Sequence, residues 1–119
     1  MDKYAVLLNT DTDEVGQTVN GLEYALDLDE SDNEVEVFLD GSATAWPTEL
    51  EANPEHPVNQ QFREAQERGL IAGACSACAG AFETTADIEA AGIELLGGGD
   101  HGPSVGELAD DGFDLLTIG

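Results

Sequence analysis

The feature that most constrains the fold of this chain is a regular alternation of short apolar runs with amphipathic segments. Residues 4–8 read YAVLL and residues 34–39 read EVEVFL, and both runs indicate strands, the first of them buried on both faces. Between them, apolar residues recur every three or four positions from residue 15 to residue 26, which predicts an amphipathic helix. The chain therefore begins with the pattern of a βαβ unit.

The same alternation continues to the end of the sequence. Further strands are predicted at residues 70–74, 93–96 and 113–118, with helices that begin near residues 58, 85 and 104. An order of β-α-β-loop-α-β-α-β-α-β is typical of an α/β protein with helices on both faces of the sheet. We therefore expect residues 1–119 to form a single domain, a three-layer α/β/α sandwich with a five-stranded, mostly parallel sheet.

One stretch interrupts this pattern. Residues 40–57 contain three of the four prolines and the only tryptophan, Trp46, and they are predicted to form a long irregular loop. Loops of this length in small domains usually serve function or an interface. Two interpretations of Trp46 stay open: it folds back onto its own domain, or it contacts another subunit.

The charge balance excludes one class of partner. The chain has 26 Asp and Glu residues against 3 Lys and Arg residues, a net charge of -23, so it lacks the cations that nucleic-acid phosphates require. The apolar periodicity argues against disorder as the cause of this acidity. We favour a salt-rich cytoplasm, the habitat of a halophile, because concentrated salt screens the repulsion among surface carboxylates.

The beginning of the sequence and its hydropathy predict a location. The first residues, MDKYAVLLNTDTDE, contain no basic region of the kind that opens a signal peptide. No apolar run is long enough to cross a bilayer. We therefore expect a cytoplasmic protein without a membrane partner, and in a reducing compartment two cysteines are more often catalytic or metal-binding than a structural disulfide.

The two cysteines form a C-x-x-C pair within residues 73–82, GACSACAGAF. Cys75 and Cys78 follow the third predicted strand at the expected start of a helix, where the helix dipole and free N–H groups favour a thiolate. Since the carboxyl ends of parallel strands gather reactive groups, we expect the Cys75 sulfur at the open rim of the sheet, able to ionise and meet another protein. The alternative is that both cysteines simply pack in the core. A thioredoxin-like interpretation is weaker, because that motif normally follows the first βα unit.

The segment GGGDHG, residues 97–102, matches G-x-G-x-x-G by letter. We discount a dinucleotide site, since the match lies in the last βαβ unit and Asp100 would repel a pyrophosphate; a tight turn is expected instead. If the third and fourth strands are neighbours, His101 lies near Cys75 and could hold or take its proton; otherwise it is simply an exposed histidine.

Zinc ligation by both cysteines, His56 and His101 is a weaker alternative, because the spacing matches no zinc finger. No metal and no cofactor are therefore predicted.

Taken together, these segments resemble the DsrE/DsrF-like sulfur-relay family over nearly the whole chain. The similar parts are the opening strand YAVLLNT, the segment EVEVFLDGSATAW, the segment REAQERGLIAGACSACAGAF and the closing SVGELADDGFDLLTIG. Their order and spacing together, rather than any one of them, carry the resemblance.

The resemblance implies a five-stranded parallel sheet and assembly into homotrimers or homohexamers. It also implies a sulfur carrier or sulfurtransferase, in which Cys75 matches the cysteine that carries a persulfide and Cys78 matches the second cysteine of the C-x-x-C subgroup, as a resolving thiol. The partners would be a sulfur-donor and a sulfur-acceptor protein. A dithiol redox or sensing protein and a non-catalytic binding module are the alternatives. This chain departs from relatives that have Arg or Lys soon after the cysteine, since AGAFE follows here, so the helix dipole or His101 would have to stabilise the thiolate.

Overall fold

The structure is a computed structural model that describes residues 2–119, and its centre is one five-stranded sheet. Every strand pairing in this sheet is parallel, and the strand order is β4-β3-β2-β1-β5. The predicted α/β class is therefore confirmed. The strands are β1 (Lys3–Leu8), β2 (Glu34–Leu39), β3 (Ile71–Cys75), β4 (Leu95–Leu96) and β5 (Phe113–Ile118).

Six α-helices and one 3-10 helix connect these strands in the described part of the chain. Among residues 2–119, no helix combines the length and the apolar character that a bilayer crossing requires. The helices are α1 (Val15–Glu30), α2 (Trp46–Ala52), α3 (Val58–Glu67), α4 (Ser76–Ala81), α5 (Thr85–Ala90) and α6 (Val105–Asp110), with the 3-10 helix at Gly41–Ala45.

The strand order distributes the helices unequally over the two faces of the sheet. Strands β1 to β4 are added in one direction, and β5 then returns to the far side of β1. Because crossovers between parallel strands are right-handed, the helices before β4 cover one face and α6 covers the other. The result is three layers, of which one consists of α6 alone.

The two hydrophobic clusters reflect this arrangement. The larger one joins the sheet to α1 and α3 through residues such as Leu22 and Phe62, whereas the smaller one contains Leu108 of α6. Alternate residues of each strand point to opposite faces, so Val6 and Leu8 enter the large cluster while Leu7 enters the small one. The prediction that the first strand is buried on both faces is confirmed.

The face covered by α6 is thinly protected. Leu115 of the edge strand β5 is 41% exposed, and Phe113 on the same face is only partly buried. Glu36 also lies on this side of the sheet, and burial raises the pKa of its carboxyl group, with a further contribution from neighbouring Glu34. This face therefore leaves apolar surface available for contact.

The prediction of an irregular loop over residues 40–57 is wrong for residues 41–52, which form the 3-10 helix and α2. Pro47 lies in the first turn of α2, where its missing N–H costs nothing because first-turn amides have no partner within the helix. Trp46, Pro47 and Leu50 are buried on one side of α2. The prolines therefore begin a helix here instead of preventing one.

Trp46 folds back onto its own domain. Its side chain is 0% exposed, and its indole N–H donates to the carbonyl oxygen of Thr10 at 3.0 Å. The alternative of a subunit contact through this side chain is therefore wrong. The tryptophan instead fastens α2 to the segment that follows β1.

The fourth strand is shorter than predicted, with two residues in place of residues 93–96. The reason is the end of α5, where the N–H of Ile93 donates to the carbonyl of Ile88 at 3.2 Å, a bond typical of a helix C-terminus closed by glycine. Gly92 has φ +76° at that turn. Residue 93 thus belongs to the helix end, and pairing with β3 starts after it.

Candidate functional site

Three neighbouring strands bring the candidate residues together at one edge of the sheet. Cys75 is the last residue of β3, Asp40 directly follows β2, and His101 lies in the segment after β4. Because these strands are parallel and adjacent, their carboxyl ends meet at the same edge, the usual place for ligands and reactive groups in such sheets.

Cys75 forms the junction between strand and helix. It is the N-cap residue of α4, with extended backbone angles of φ -65° and ψ 120°. Its side chain is 0% exposed, so the expectation that its sulfur lies open at the rim is wrong. The backbone reaches the rim, but the flanking 3-10 helix and α4 enclose the side chain.

Cys78 occupies the first turn of α4, and its N–H donates to the Cys75 Sγ at 3.4 Å. This is the N-cap arrangement usually made by Ser or Asp, with sulfur as the acceptor. The two cysteines approach to 3.2 Å, which is longer than a disulfide bond of about 2.05 Å, and both are free thiols. Cys78 is half-buried, so it is the more accessible of the two.

Asp40 is the site residue that the sequence did not single out. One of its carboxylate oxygens, Oδ1, accepts from the N–H of Gly41 at 2.9 Å and from the Cys78 thiol at 3.5 Å. Its position at the end of β2 was the available signal, because the carboxyl end of β2 must meet that of β3 in a parallel sheet.

The surroundings of Cys78 favour its protonated form. Burial raises the pKa of the Cys78 thiol to about 11, and the hydrogen bond to Cys75 and the negative charge of Asp40 add to the increase. The backbone of Gly41 acts in the opposite direction. At neutral pH Cys78 is therefore a thiol that donates hydrogen bonds.

His101 reaches the site through Asp40. Its Nε2 lies 3.3 Å from a carboxylate oxygen of Asp40, and its side chain is 58% exposed. The strands β3 and β4 are neighbours, which is the condition set for a position of His101 near Cys75, and the contact that results is with Asp40. A role of His101 in holding the Cys75 proton stays a prediction.

The glycine-rich segment folds as the predicted tight turn and is tied to the start of α4. The hydroxyl of Ser76 donates to the carbonyl of Asp100 at 3.0 Å and accepts from the N–H of Gly99 at 2.7 Å. Gly97 has φ +104°, and a Cβ there would collide with backbone atoms of Asp100. Glycine is thus required for the turn that places His101 beside the cysteine segment.

The zinc-ligand set considered from the sequence does not assemble. His56 packs its ring against Trp46, with a centroid separation of 5.3 Å, and accepts from the N–H of Val58 at 3.1 Å. The residues whose ligand atoms do gather are Asp40, Cys75 and Cys78, all within 4.8 Å of one another. His56 therefore stabilises the end of α2 and the turn before α3.

A parallel three-layer α/β domain with a free dithiol at its carboxyl edge is the class of protein that this geometry defines. The DsrE/DsrF-like family model matches residues 2–116, and the chain belongs to this family. No curated protein matches the chain.

A solved structure, a conserved protein of unknown function from Bacteroides thetaiotaomicron, is similar to this chain with 23% sequence identity and a TM-score of 0.69. The match covers 98% of this chain and 95% of that one. At this level of identity, the similarity shows the shared fold.

Proposed function

We propose that this protein is a sulfur-relay carrier, a single domain that holds sulfane sulfur as a persulfide on Cys75 with Cys78 as the resolving thiol. The observation that carries the proposal is the pairing of two free thiols at 3.2 Å, one of which receives a backbone N–H. An N–H donated to sulfur stabilises negative charge on it, and the thiolate is the form that attacks sulfur.

The chemistry needs no other reagent than a donor persulfide. The Cys75 thiolate attacks the outer sulfur of a donor persulfide, R–S–SH. The S–S bond of the donor breaks, the donor thiolate R–S⁻ leaves, and Cys75–S–SH forms. An acceptor thiolate can then attack the outer sulfur and regenerate Cys75. Alternatively, the Cys78 thiolate attacks the inner sulfur, hydrosulfide leaves, and a Cys75–Cys78 disulfide closes.

The protonated state of Cys78 favours a long-lived carrier over immediate release of sulfide. A thiol with a pKa of about 11 is almost entirely protonated at pH 7. Attack by Cys78 on the persulfide is therefore slow. The sulfur stays on Cys75 long enough to meet an acceptor protein.

Delivery of sulfur requires a local movement. Cys75 is 0% exposed, so a donor reaches its sulfur only after neighbouring side chains shift, and half-buried Cys78 is the neighbour that touches it. Such a shift limits the reaction to donors that bind at this edge, and it protects the bound sulfur from small thiols.

The test is to incubate the reduced protein with a sulfane-sulfur donor and locate the added mass by peptide mass spectrometry. We expect one additional sulfur atom on Cys75 in the natural chain and none in Cys75→Ser. In Cys78→Ser the adduct should reach at least the level of the natural chain and persist longer, because the slow displacement by the internal thiol is abolished.

Circular dichroism of both serine variants provides the folding control. An adduct found only on Cys78, or on neither cysteine of a folded protein, is incompatible with the assignment of Cys75. Absence of any adduct would favour a non-catalytic binding module.

A dithiol redox or sensing protein is the second candidate, favoured by the same short separation of the two cysteines. It predicts that the donor or a mild oxidant yields the Cys75–Cys78 disulfide with no persulfide intermediate. A reduction potential far below the cytosolic glutathione range of about -220 to -320 mV would make such cycling implausible.

We also propose that the protein acts in a salt-rich cytoplasm as a homotrimer or homohexamer. Support for assembly comes from the thinly covered face with Phe113 and Leu115, since exposed apolar patches often mark interfaces. Light scattering at high salt should give three or six times the monomer mass of 12.5 kDa, and a monomer at micromolar concentration would contradict the assembly.

A further inference from the structure

Four side chains of metal-binding type converge at the carboxyl edge of the sheet. The ligand atoms of Asp40, Cys75 and Cys78 lie within 4.8 Å of one another. His101 contacts the same carboxylate at 3.3 Å from the solvent side. They come from three separate strand ends, so the fold, and not a local sequence motif, assembles them.

We propose that this cluster is a zinc site in which Cys75, Cys78 and Asp40 are ligands and His101 completes the coordination. Two thiolates, a carboxylate and an imidazole are all ligands that Zn²⁺ accepts in tetrahedral geometry. The site goes beyond sulfur transport, because it binds a metal when both thiols are reduced and free of sulfur.

The separations in the cluster are close to those of such a tetrahedron. Zn–S bonds of about 2.3 Å and Zn–O or Zn–N bonds of about 2.0 Å imply ligand–ligand edges of about 3.3–3.8 Å. The distances from the Cys78 Sγ to the Asp40 carboxylate, 3.5 Å, and from that carboxylate to the His101 Nε2, 3.3 Å, lie in this range. The cysteine separation of 3.2 Å is shorter than the S–S edge, so the two sulfurs must move apart by about 0.5 Å. The ligand atoms of Asp40, Cys75 and Cys78 all lie within 4.8 Å of one another, so shifts of about 1 Å bring these three ligands into place.

His101 has the freedom to complete the site. Its ring is 58% exposed, and it lies outside the group of atoms within 4.8 Å, so it must turn toward the sulfurs to bind the same ion. Its backbone is held in place, because the carbonyl oxygen of the preceding residue, Asp100, accepts from the N–H of Ala77 at 3.1 Å.

The ligand set selects the class of metal. Thiolates bind zinc and other soft or borderline ions, whereas magnesium and calcium require oxygen ligands. The 26 Asp and Glu residues offer oxygen ligands elsewhere, but only this cluster combines a carboxylate with two sulfurs. A thiol-dependent zinc site is therefore distinguishable from binding to the acidic surface.

The experiment is a zinc titration of the reduced full-length chain against a chromophoric chelator, in buffer with excess Mg²⁺ to occupy surface carboxylates. We expect one equivalent of Zn²⁺ per chain. Because loss of outer-shell partners alone weakens metal binding by about 10–100-fold, Cys78→Ser and Asp40→Asn should each weaken it by at least about 100-fold, and His101→Ala by about 10-fold. Titration with Co²⁺ should give thiolate-to-metal absorption that is much weaker in Cys78→Ser, which retains only the Cys75 thiolate.

Two matched variants serve as controls. His56→Ala removes the other histidine, and Asp110→Asn removes one exposed negative charge; both should keep the affinity of the natural chain. Equal zinc affinity in Cys78→Ser and the natural chain would overturn the site, as would equal losses in Asp110→Asn and Asp40→Asn. An unchanged His101→Ala would overturn the four-ligand set. Sulfur loading of Cys75 is measured separately, so either proposal can fail without the other.

Discussion

Replacement of Trp46 by alanine is expected to lower the free energy of unfolding by about 3–5 kcal/mol, the range observed when buried aromatic residues are truncated. The tryptophan is 0% exposed and belongs to the large hydrophobic cluster, so its removal leaves a cavity between α2 and the sheet. The variant also leaves the carbonyl of Thr10 without its indole donor. Chemical denaturation at constant high salt measures the change.

Two further variants show how much of the stability lost in Trp46→Ala comes from packing, how much from the indole hydrogen bond, and how much from removing any aromatic side chain. Trp46→Phe retains an aromatic ring and should recover most of the lost stability, with the remainder due to the missing N–H. Tyr24→Ala removes an aromatic side chain that is 52% exposed, and a change within about 0.5 kcal/mol is expected. Similar losses for Trp46→Ala and Tyr24→Ala would contradict the burial described here.

Transfer from molar KCl to dilute buffer is expected to destabilise the protein strongly. The net charge is -23, and the Lys and Arg ion pairs described for residues 2–119 involve just two cations. Arg68 binds three carboxylates and Lys3 binds one. Two like charges about 8 Å apart repel by about 0.5 kcal/mol in water, and many such pairs act together. The Debye length decreases from about 10 Å at 0.1 M salt to about 3 Å at 1 M, so concentrated salt removes most of this repulsion.

The measurement is the melting temperature by circular dichroism over a range of KCl concentrations. Sucrose in place of KCl provides the control, because it strengthens burial by exclusion from the surface but does not screen charge. We expect KCl to raise the melting temperature far more than sucrose does. Equal melting temperatures in dilute buffer and in molar KCl would refute the halophilic interpretation of the acidity.

Much of the architecture could be predicted, because the spacing of apolar residues along the chain distinguishes strands from amphipathic helices. The alternation of apolar runs and amphipathic segments indicates each strand and the helices α1, α3, α5 and α6. It fails at residues 40–57, because proline suggests a loop although Pro47 in a first turn is compatible with a helix. Sequence periodicity describes neighbours along the chain and does not show where Trp46 packs.

The site was predictable in part for the same reason. The spacing of Cys75 and Cys78 is visible in the sequence, and their place after a strand indicates the edge on which they lie. The burial of Cys75 and the approach of Asp40 depend on how the 3-10 helix packs against α4, a contact between segments about 35 residues apart along the chain. Such long-range contacts determine exposure and pKa, and no local pattern records them.

The position of β5 on the far side of β1 separates one exposed apolar surface from the two cysteines. It leaves Leu115 exposed on one face of the sheet, whereas the cysteines lie at and just after the carboxyl end of β3. Substitutions at Leu115 can change this exposed apolar surface and leave the thiols undisturbed. Substitutions in the turn at residues 97–102 affect the cysteine edge and also the side covered by α6, because Gly97 and His101 line one cavity with Leu108. Exposed residues of β5 are therefore the positions at which this apolar face can vary separately from the thiols.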